Sequence, residues 1–226
     1  MGGAAMEGNR RFHLVTFDLD GTMLNDEWAH AEANRRIGAK LGIDCTALGD
    51  MTGYSVRTRW QALCRQADVT ADVEEIARDH FRITLEIIRQ ARIPESAGLT
   101  KTLRALRAAG YTLAVVSSSD EDFVRAVTDY LGVADLLDCF VTQSQVAVLK
   151  PAPDIYRKVQ ALTGIHAAAA LGVEDSAPGC QALRGAGMYT VGFTDEGRNR
   201  QDLSAADTHI AVMGELLPLI HRLQNP

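Results

Sequence analysis

The sequence predicts an α/β fold with a doubly wound, mainly parallel, Rossmann-like sheet and a helical insertion after its first strand. Three runs carry this prediction, because each is apolar along its whole length and is followed by a helical pattern. Strands that are covered by helices on both faces have this character, whereas a half-exposed strand alternates apolar and polar residues. Alternation of strand and helix patterns along the chain indicates the same class of fold.

The first strand is predicted at 12–17 (FHLVTF), after which the chain leaves the sheet. Residues from about 26 to 93 show helical periods and contain no convincing strand, and a proline follows the last of these helices. We therefore expect two domains. A Rossmann-like core is made of 1–25 and 94–226, and a small α-helical domain at 26–93 is inserted into it.

The rest of the sheet is predicted after this insertion. An amphipathic helix at 99–110 ends at Gly110, directly before the second strand. The predicted strands are, in chain order, 12–17, 111–117, 139–143, 167–173 and 189–193.

The composition argues against some classes of function. The chain has 226 residues, of which 46% are apolar, and its 23 basic and 29 acidic residues give a net charge of −6. A nucleic-acid-binding surface needs a basic stripe, which this balance does not suggest. The N-terminal residues lack the apolar core of a signal peptide, and no apolar run reaches the roughly 18 residues of a membrane span.

The cysteines give a prediction about the cellular compartment. Four are present, far apart and without a CxxC pair, as is typical of isolated thiols under reducing conditions; they are Cys45, Cys64, Cys139 and Cys180. We expect a cytoplasmic protein, a monomer or weak homodimer, that binds neither nucleic acid nor membrane.

Two aspartates follow the first predicted strand. In FDLDGT, Asp18 and Asp20 are two residues apart, so both face one spot at the strand's carboxyl end, where open α/β sheets bind ligands. Two close carboxylates repel each other unless a cation such as Mg²⁺ lies between them. The cation would keep Asp18 ionised as a ligand and nucleophile and leave Asp20 able to carry a proton. Gly21 permits a sharp turn and Thr22 can hydrogen-bond within it; the alternative is a solvated Asx turn.

Hydroxyl groups follow the second predicted strand. In VVSSSD, Ser117 ends the strand, and Ser118, Ser119 and Asp120 begin a helix. Hydroxyl and backbone N–H groups at a helix N-terminus can bind phosphate oxygens. The alternative is that these residues only cap the helix.

A lysine and an acidic pair complete the set. In LKPAPDIY, Lys150 precedes a Pro-x-Pro turn, where a fixed ammonium can neutralise carboxylate and phosphate oxygens. In GVEDSAPG, Glu174 and Asp175 follow a strand of small apolar residues. Mg²⁺ takes few protein carboxylates, so Asp18, the backbone carbonyl of Asp20 and Asp175 would suffice, with Glu174 bound directly or through water. The alternatives are a surface lysine and a helix-capping acid.

All four motifs lie at carboxyl ends of predicted strands, and in this order they resemble the haloacid dehalogenase-like hydrolase superfamily. The resemblance is carried by FDLDGT, VVSSS, KPAPD and GVEDS and extends from about Phe12 to the last helix. The helical insertion after the first motif looks like the α-helical cap of the branch that contains β-phosphoglucomutase and phosphoglycolate phosphatase. We expect the fold of that branch, with 26–93 as its cap domain.

The resemblance implies a Mg²⁺-dependent phosphatase that acts on a small phosphorylated metabolite, a sugar phosphate or a phosphoglycolate-like acid. Asp18 would form an aspartyl-phosphate, and Asp20 would protonate the leaving oxygen and then activate water. Ser117 and Lys150 would hold the phosphoryl oxygens. The metal ligands implied are Asp18, Asp20, Glu174 and Asp175. Because Asp20 is present, haloacid dehalogenation is not expected.

Further residues bear on the substrate. His30, ten residues after Asp20, matches a histidine common in sugar-phosphate members of this branch. TGYSVRTRW (52–60) resembles its specificity loop, from which Arg57 would bind a distal anionic or hydroxyl group. Thr22 and Ser118 complete the predicted substrate-binding set. The alternatives are a packing histidine and a solvated arginine.

Two other functions stay open. A β-phosphoglucomutase-like phosphomutase fits the branch and His30. It would be expected to carry a lysine in the later cap helix, where this chain has ARDHFRIT with His80 and Arg82. A binding or regulatory module on a retired catalytic fold is the third reading, since fold alone does not imply activity.

Overall fold

The structure, a computed structural model, describes residues 10–49 and 55–224. These residues form six strands and eight α-helices. The strands are β1 (Leu14–Phe17), β2 (Thr112–Val116), β3 (Cys139–Val141), β4 (Ala170–Glu174), β5 (Tyr189–Phe193) and β6 (Thr208–Ile210). The helices are α1 (Glu27–Leu41), α2 (Val56–Gln66), α3 (Val73–Ala91), α4 (Leu99–Ala108), α5 (Glu121–Tyr130), α6 (Asp154–Thr163), α7 (Ala177–Gly185) and α8 (Leu216–Gln224).

The six strands form one parallel sheet with the order β3-β2-β1-β4-β5-β6. The chain builds outward from β1 through β2 to β3, and then returns to place β4 on the other side of β1. The boundary between β1 and β4 is therefore the topological switch point, beside which open α/β sheets bind their ligands. The predicted doubly wound parallel sheet is confirmed.

The apolar runs are buried because both faces of the sheet are covered. Successive side chains of a strand point to opposite faces, so Leu14 packs with α6 and α7, whereas Val15 and Phe17 pack with α4, α5 and α8. All three side chains are fully buried. This two-sided burial explains why the strand lacks the alternation of a half-exposed one.

Four strands differ from their predicted bounds, and one strand was not predicted. The strand β1 begins at Leu14 instead of residue 12, and β2 covers Thr112–Val116 instead of 111–117. Residues 167–169 form a 3₁₀ turn, so β4 begins at Ala170. β3 ends at Val141 instead of continuing to 143. The strand β6 has only three residues, and the middle one, His209, is exposed. A strand this short at a sheet edge carries no apolar run that a sequence pattern can detect.

The three helices α1 to α3 lie between β1 and α4 in sequence, as predicted, and α3 packs against both of the others. Contact with the rest of the molecule includes Phe81 of α3 and Phe123 of α5, whose ring centroids are 5.0 Å apart. Residues 52–54 of the predicted specificity loop and the N-terminal residues 1–9 lie outside the described residues. None of the described helices is long and apolar enough to cross a membrane.

Candidate active site

The carboxyl ends of β1, β2 and β4 meet beside a cavity of about 250 Å³. Its size is just below the range of about 300–1,000 Å³ that is usual for small-molecule sites. The residues that the sheet side contributes to its lining are Asp18, Asp20, Ser118, Ser119, Lys150, Asp175 and Ser176. Four segments far apart in sequence therefore meet at the switch point of the sheet.

Lys150 is the centre of a buried ion cluster. Its Nζ donates to Asp18 Oδ1 at 2.5 Å, to Glu174 Oε1 at 2.6 Å and to the carbonyl oxygen of Val116 at 3.1 Å. Tyr156 also donates to Glu174 Oε1, at 2.7 Å. The peptide bond from Lys150 to Pro151 is cis. The ammonium thus has three acceptors, which leaves no donor of the cluster unpaired.

The cluster holds more negative than positive charge. Burial raises the pKa of Asp18 well above its usual value, the charge of Glu174 raises it further, and Lys150 opposes both. Burial, followed by the charge of Asp18, also raises the pKa of Asp175. Burial lowers the pKa of Lys150, but the charges of Asp18 and Glu174 outweigh it, so that this pKa is raised and the ammonium is retained.

The donor set fits a divalent cation. Asp18, Glu174 and Asp175 each have a carboxylate oxygen within 4.8 Å of the others, and oxygen ligands are those that Mg²⁺ prefers. Two glycines make room for these carboxylates, because a Cβ at Gly21 would overlap Asp175 and one at Gly179 would overlap Glu174. Gly21 also has a φ of +80°, which disfavours other residues.

The carboxylates that could bind a metal differ in how many of their oxygens already accept hydrogen bonds from the protein. Both oxygens of Glu174 accept hydrogen bonds, Oε1 from Lys150 and Tyr156, and Oε2 from the hydroxyl of Ser176 at 3.0 Å. Asp175 Oδ1 accepts one from Thr22 at 3.1 Å. Thr22 is therefore attached to the acidic cluster and is not among the residues that line the cavity.

Asp20 faces the cavity and is held by donors from three directions. It accepts from Ser119 Oγ at 2.7 Å and from Ser117 Oγ at 3.3 Å, and His30 Nε2 lies 3.3 Å away. Burial by itself raises the pKa of Asp20, but the hydrogen bond and charge of His30, with the bond from Ser119, hold this pKa below its usual value. Asp20 is therefore ionised in this arrangement.

The predicted phosphate-binding serines are arranged differently from each other. Ser117 accepts from the backbone N–H of Ser119 at 3.0 Å and donates to Asp20. Ser118 is among the residues that line the cavity, and its hydroxyl oxygen is buried without a hydrogen-bond partner among the described residues. Ser118 is thus the one of the three serines whose hydroxyl has no partner among the described residues, although most buried polar atoms are paired.

His30 links Asp20, at the sheet end of the cavity, to the helix α3. Its Nδ1 lies 2.8 Å from His80 Nε2, and its Nε2 lies 3.5 Å from Asp26 as well as near Asp20. Burial lowers the pKa of His30, but the hydrogen bonds to Asp20 and Asp26 outweigh it and raise this pKa to about 10. Burial and then the charge of Asp20 raise the pKa of Asp26 to about 6.

The structure does not bring Arg57 to the cavity. Its Nε donates to both carboxylate oxygens of Glu74, at 2.8 and 2.9 Å, and its Nη1 donates to Asp120 at 2.7 Å. Arg59, two positions further along α2, lines the cavity instead. Two residues correspond to about 200° around a helix, so the two arginines lie on different faces of α2.

Some lining residues were not predicted, although α1 carries a signal that identifies them. Glu27, His30, Ala31 and Asn34 all line the cavity. Their spacing of three, four and seven residues from Glu27 places them on one helix face. Once His30 is placed in the site, the same face predicts Asn34, whereas Tyr156 and Arg59 carry no comparable signal.

Comparison with known proteins identifies the family. The haloacid dehalogenase-like hydrolase family matches residues 12–187. Among curated proteins, the chain is 26% identical to protein CbbY of Rhodobacter capsulatus, over 87% of this chain and 91% of CbbY. It is 27% identical to validoxylamine A 7'-phosphate phosphatase of Streptomyces hygroscopicus subsp. limoneus, over 91% and 96% of the two chains.

Solved structures agree in fold. A β-phosphoglucomutase from Clostridium difficile superposes with a TM-score of 0.81 at 20% identity, over 95% of this chain and 97% of that one. At this identity the likeness shows the fold alone. The match over residues 12–187 confirms the predicted superfamily, and the chain belongs to the haloacid dehalogenase-like hydrolases.

Proposed function

We propose that this haloacid dehalogenase-like hydrolase is a Mg²⁺-dependent phosphatase that hydrolyses a small phosphorylated metabolite through an aspartyl-phosphate on Asp18. One observation carries the proposal: Asp18, fixed by the buried Lys150, lines the same cavity as Asp20 and the unpaired hydroxyl of Ser118. A nucleophile, a proton carrier and a phosphate ligand are thus combined in one small cavity. The phosphatase named among its relatives supports the same reaction class.

Asp18 is the proposed nucleophile. Lys150 holds Oδ1 at 2.5 Å, which fixes the orientation of the carboxylate and leaves Oδ2 for attack. In the first step a bond forms from a carboxylate oxygen to phosphorus while the ester bond to the leaving oxygen breaks in line. In the second step water attacks phosphorus, and the Asp18 carboxylate is released.

Asp20 is the proposed proton carrier. Its ionised form suits the second step, in which it accepts a proton from the attacking water. The first step needs the protonated form, which delivers a proton to the leaving oxygen. An incoming phosphate favours this form, because a nearby anion raises the pKa of a carboxyl group.

Two groups are proposed to hold the transferred phosphoryl group, and two others to act through their neighbours. Ser118 offers its free hydroxyl, and the Lys150 ammonium neutralises charge that develops on the phosphoryl oxygens. Ser117 acts beside them by orienting Ser119 and Asp20. Thr22 is proposed to act through Asp175, because its hydroxyl is committed to that carboxylate.

Asp18, Asp175 and the backbone carbonyl of Asp20 are the residues that would hold Mg²⁺. Because both Glu174 oxygens accept hydrogen bonds from protein groups, we assign Glu174 a contact through water. The ion would supply positive charge next to the transferred phosphoryl group, which lowers the cost of bringing a dianion to a carboxylate.

Residues 26–93 are proposed to form the cap domain. This region contributes His30, Asn34, Arg59 and His80 to the wall of the cavity that Asp18 and Asp20 also line. Closing such a wall over a substrate excludes water and completes the site. Arg57 is proposed to assist by joining α2 to Asp120 at the start of α5, instead of by touching the substrate.

The proposal is tested with p-nitrophenyl phosphate and Mg²⁺. The wild-type protein should release nitrophenol, and Asp18→Asn should lower kcat by a factor of about 10³ or more, since the nucleophile is lost. Asp129→Asn, an exposed residue of α5, is the matched control and should keep the wild-type rate. Wild-type turnover by Asp18→Asn would refute the mechanism.

A phosphomutase is separated by its products. With β-glucose 1-phosphate and a bisphosphate primer, a phosphatase releases inorganic phosphate, whereas a mutase yields glucose 6-phosphate. The stretch of α3 in which a mutase would be expected to carry a lysine for a second phosphate has none; its His80 is buried and, by its lowered pKa, neutral, and its Arg82 is exposed and bonded to Asp79. This supports the phosphatase.

A further inference from the structure

A second set of side chains with metal-ligand chemistry lies where β1 leads into α1. Asp20, Asp26 and His30 each offer one ligand atom, and these atoms lie within 4.8 Å of one another. His30 Nε2 is 3.3 Å from Asp20 Oδ1 and 3.5 Å from Asp26 Oδ2. We call these three residues the histidine cluster. It contains an imidazole nitrogen, whereas the side chains proposed for Mg²⁺ offer only oxygen.

Hydrogen bonds within the protein do not satisfy the histidine cluster. His30 Nε2 carries at most one hydrogen, which cannot serve two carboxylates well. Both separations exceed the about 2.7–2.9 Å of a strong charge-assisted hydrogen bond. Asp26 is fully buried, and its Oδ2 has no hydrogen-bond partner among the described residues. Most buried polar atoms are paired, so this oxygen points to a partner from outside the chain.

Each side chain of the histidine cluster is held through its other polar atom. These contacts are Ser119 Oγ to Asp20 Oδ2 at 2.7 Å, the backbone N–H of Gly21 to Asp26 Oδ1 at 3.2 Å, and His30 Nδ1 to His80 Nε2 at 2.8 Å. Burial lowers the pKa of His80, so its neutral ring can accept the hydrogen of His30 Nδ1 and leave the Nε2 lone pair for a cation. Such outer partners orient the ligands of protein metal sites.

The separations fit a tetrahedral transition-metal ion. Zn²⁺ binds nitrogen and carboxylate oxygen at about 2.0–2.2 Å, and at tetrahedral angles two such ligands are about 3.3–3.6 Å apart. The distances from His30 Nε2 to the two carboxylate oxygens, 3.3 and 3.5 Å, lie in this interval. Asp20 and His30 line the cavity, which gives the ion an entry path and a water molecule for its fourth position.

The ligand chemistry distinguishes this ion from Mg²⁺. Mg²⁺ prefers oxygen ligands in octahedral geometry, whereas imidazole suits Zn²⁺ and neighbouring transition metals. Although burial opposes it, Asp20 and Asp26 favour positive charge on His30, whose pKa they raise to about 10. The same two carboxylates favour a dication, which takes the place of the proton on Nε2 while that proton is released to solvent.

We propose that the histidine cluster is an inhibitory site for Zn²⁺ or another imidazole-binding transition-metal dication. The bound ion keeps the Asp20 carboxylate as a ligand, so Asp20 can neither protonate the leaving oxygen nor accept a proton from water. Mg²⁺ at its own ligands supports turnover, and Zn²⁺ at the histidine cluster stops it. The inhibitory role rests on the proposed phosphatase function, whereas the metal site rests on the geometry of its three ligands.

Binding is measured with Co²⁺, which absorbs visible light strongly in tetrahedral and weakly in octahedral coordination. Excess Mg²⁺ is present throughout to fill the all-oxygen site. The wild-type protein should give the strong spectrum, and Zn²⁺ should abolish it by displacement. Asp26→Asn, which keeps the acceptor for Gly21, should raise the Kd at least about tenfold, and His30→Gln about 100-fold or more, because loss of an outer partner alone costs about 10–100-fold.

His13→Gln is the matched control, because His13 is an exposed histidine of the core. It should leave the Kd for Co²⁺ and Zn²⁺ unchanged. Thermal unfolding of the metal-free proteins checks that each variant is folded, and His30→Gln tests the site independently of Asp26.

Inhibition is measured with p-nitrophenyl phosphate at saturating Mg²⁺. Zn²⁺ should inhibit the wild-type protein, and further Mg²⁺ should not relieve the inhibition, because the two ions use different ligand atoms. Asp26→Asn should raise the Ki for Zn²⁺ by the same factor as the Kd.

The outcomes separate the two proposals. Inhibition that Mg²⁺ relieves, or a Zn²⁺ affinity that neither variant changes, overturns the histidine cluster and leaves the phosphatase intact. A wild-type protein without the strong Co²⁺ spectrum also overturns it. If the wild-type protein does not hydrolyse p-nitrophenyl phosphate, the phosphatase proposal fails and the inhibitory role fails with it, while the Co²⁺ spectrum still decides the metal site.

Discussion

The two ends of the cavity differ in the contacts that hold their side chains. At the sheet end, Lys150 has three acceptors and Asp20 has three neighbouring donors. Ser118 at this end, and Asn34, Arg59 and His80 at the helical end, each keep one buried atom without a partner among the described residues. The sheet end is thus held by a buried ion cluster, whereas Arg59 at the helical end donates to a backbone carbonyl.

The same contrast separates two ion clusters. The cluster around Lys150 is buried, with the lysine side chain 2% exposed and Glu174 0% exposed. The bridge from Arg57 to Asp120 joins the helical region to the core, and its two side chains are 26% and 25% exposed. Buried pairs are costly to break, and partly exposed pairs contribute little. This difference sets the order of the expected effects.

The largest effect is expected at Lys150. Lys150→Met leaves Asp18 and Glu174 buried without their cation, and breaking a buried pair costs about 3–5 kcal/mol. The free energy of unfolding in the presence of EDTA should fall by this amount, and phosphatase activity should be lost. Lys101→Met, an exposed lysine of α4, is the control and should be neutral. Equal stability of the two variants would contradict the expectation that the buried cluster around Lys150 is costlier to break than the Arg57–Asp120 bridge.

Asp20 should affect chemistry more than stability. Asp20→Asn keeps the shape of the side chain but cannot carry the proton, so kcat should fall about 10²–10⁴-fold. Steady-state kinetics with p-nitrophenyl phosphate measure this change, and Asp135→Asn, an exposed aspartate, is the control. A kcat within twofold of wild type would assign the proton transfer to another group.

Binding of Mg²⁺ should reduce the electrostatic repulsion between the buried carboxylates. Because Asp18 and Asp175 are buried with like charges nearby, MgCl₂ should raise the Tm. At a concentration of one hundred times Kd the stabilisation should be about 2.7 kcal/mol. NaCl at equal ionic strength should not reproduce the shift, and Asp175→Asn should abolish it. An identical Mg²⁺-induced shift in Asp175→Asn would place the ion elsewhere.

The Arg57 bridge should give a smaller effect. Arg57→Met should lower the free energy of unfolding by about 0–1 kcal/mol, as expected for a partly exposed ion pair. A double-mutant cycle with Asp120→Asn isolates the contact between the helical region and the core. Arg82→Met, whose partner Asp79 lies on the same helix, is the matched control. A coupling energy above about 3 kcal/mol would mean that this bridge contributes as much to stability as a buried ion pair.

The smallest effect concerns pH. The hydrogen bond from Arg57 holds the pKa of Glu74 below its usual value of 4.5. A lowered pKa stabilises the folded protein above that value, and this contribution is lost as the pH falls towards the folded pKa. Arg57→Met should therefore lose less stability than wild type between about pH 5 and 3. Parallel stability curves for the two proteins over this interval would contradict the assignment.

The sequence predicted those strands and site residues that a local pattern of neighbouring residues encodes. Three apolar runs and two shorter candidates predicted five of the six described strands, and the two-residue spacing of Asp18 and Asp20 marked the carboxyl end of β1, beside which the cavity lies. The strand β6 was missed because three residues at a sheet edge carry no run. The bond from Tyr156 to Glu174 depends on how α6 packs against the sheet, and no local pattern encodes that.

The two arginines of α2 show the same limit on a finer scale. The sequence pointed to Arg57, but the phase of the helix turns Arg59 to the cavity and Arg57 to Glu74 and Asp120. Helix phase is readable only when a fixed residue anchors it, as His30 does for Asn34 on α1. In α2 no such anchor is present in the sequence.

The central position of β1 in the sheet has a consequence for how the protein is made. Leu14 pairs with Thr112 on one side and with Ala170 on the other, so β1, the first of the described strands in the sheet, has no partner until much of the chain has followed. Such non-local pairing slows folding, and N-terminal segments wait while synthesis proceeds at about 5–20 residues per second. Asp18, the proposed nucleophile, therefore meets Lys150 and Asp175 only after the chain beyond these residues has been synthesised.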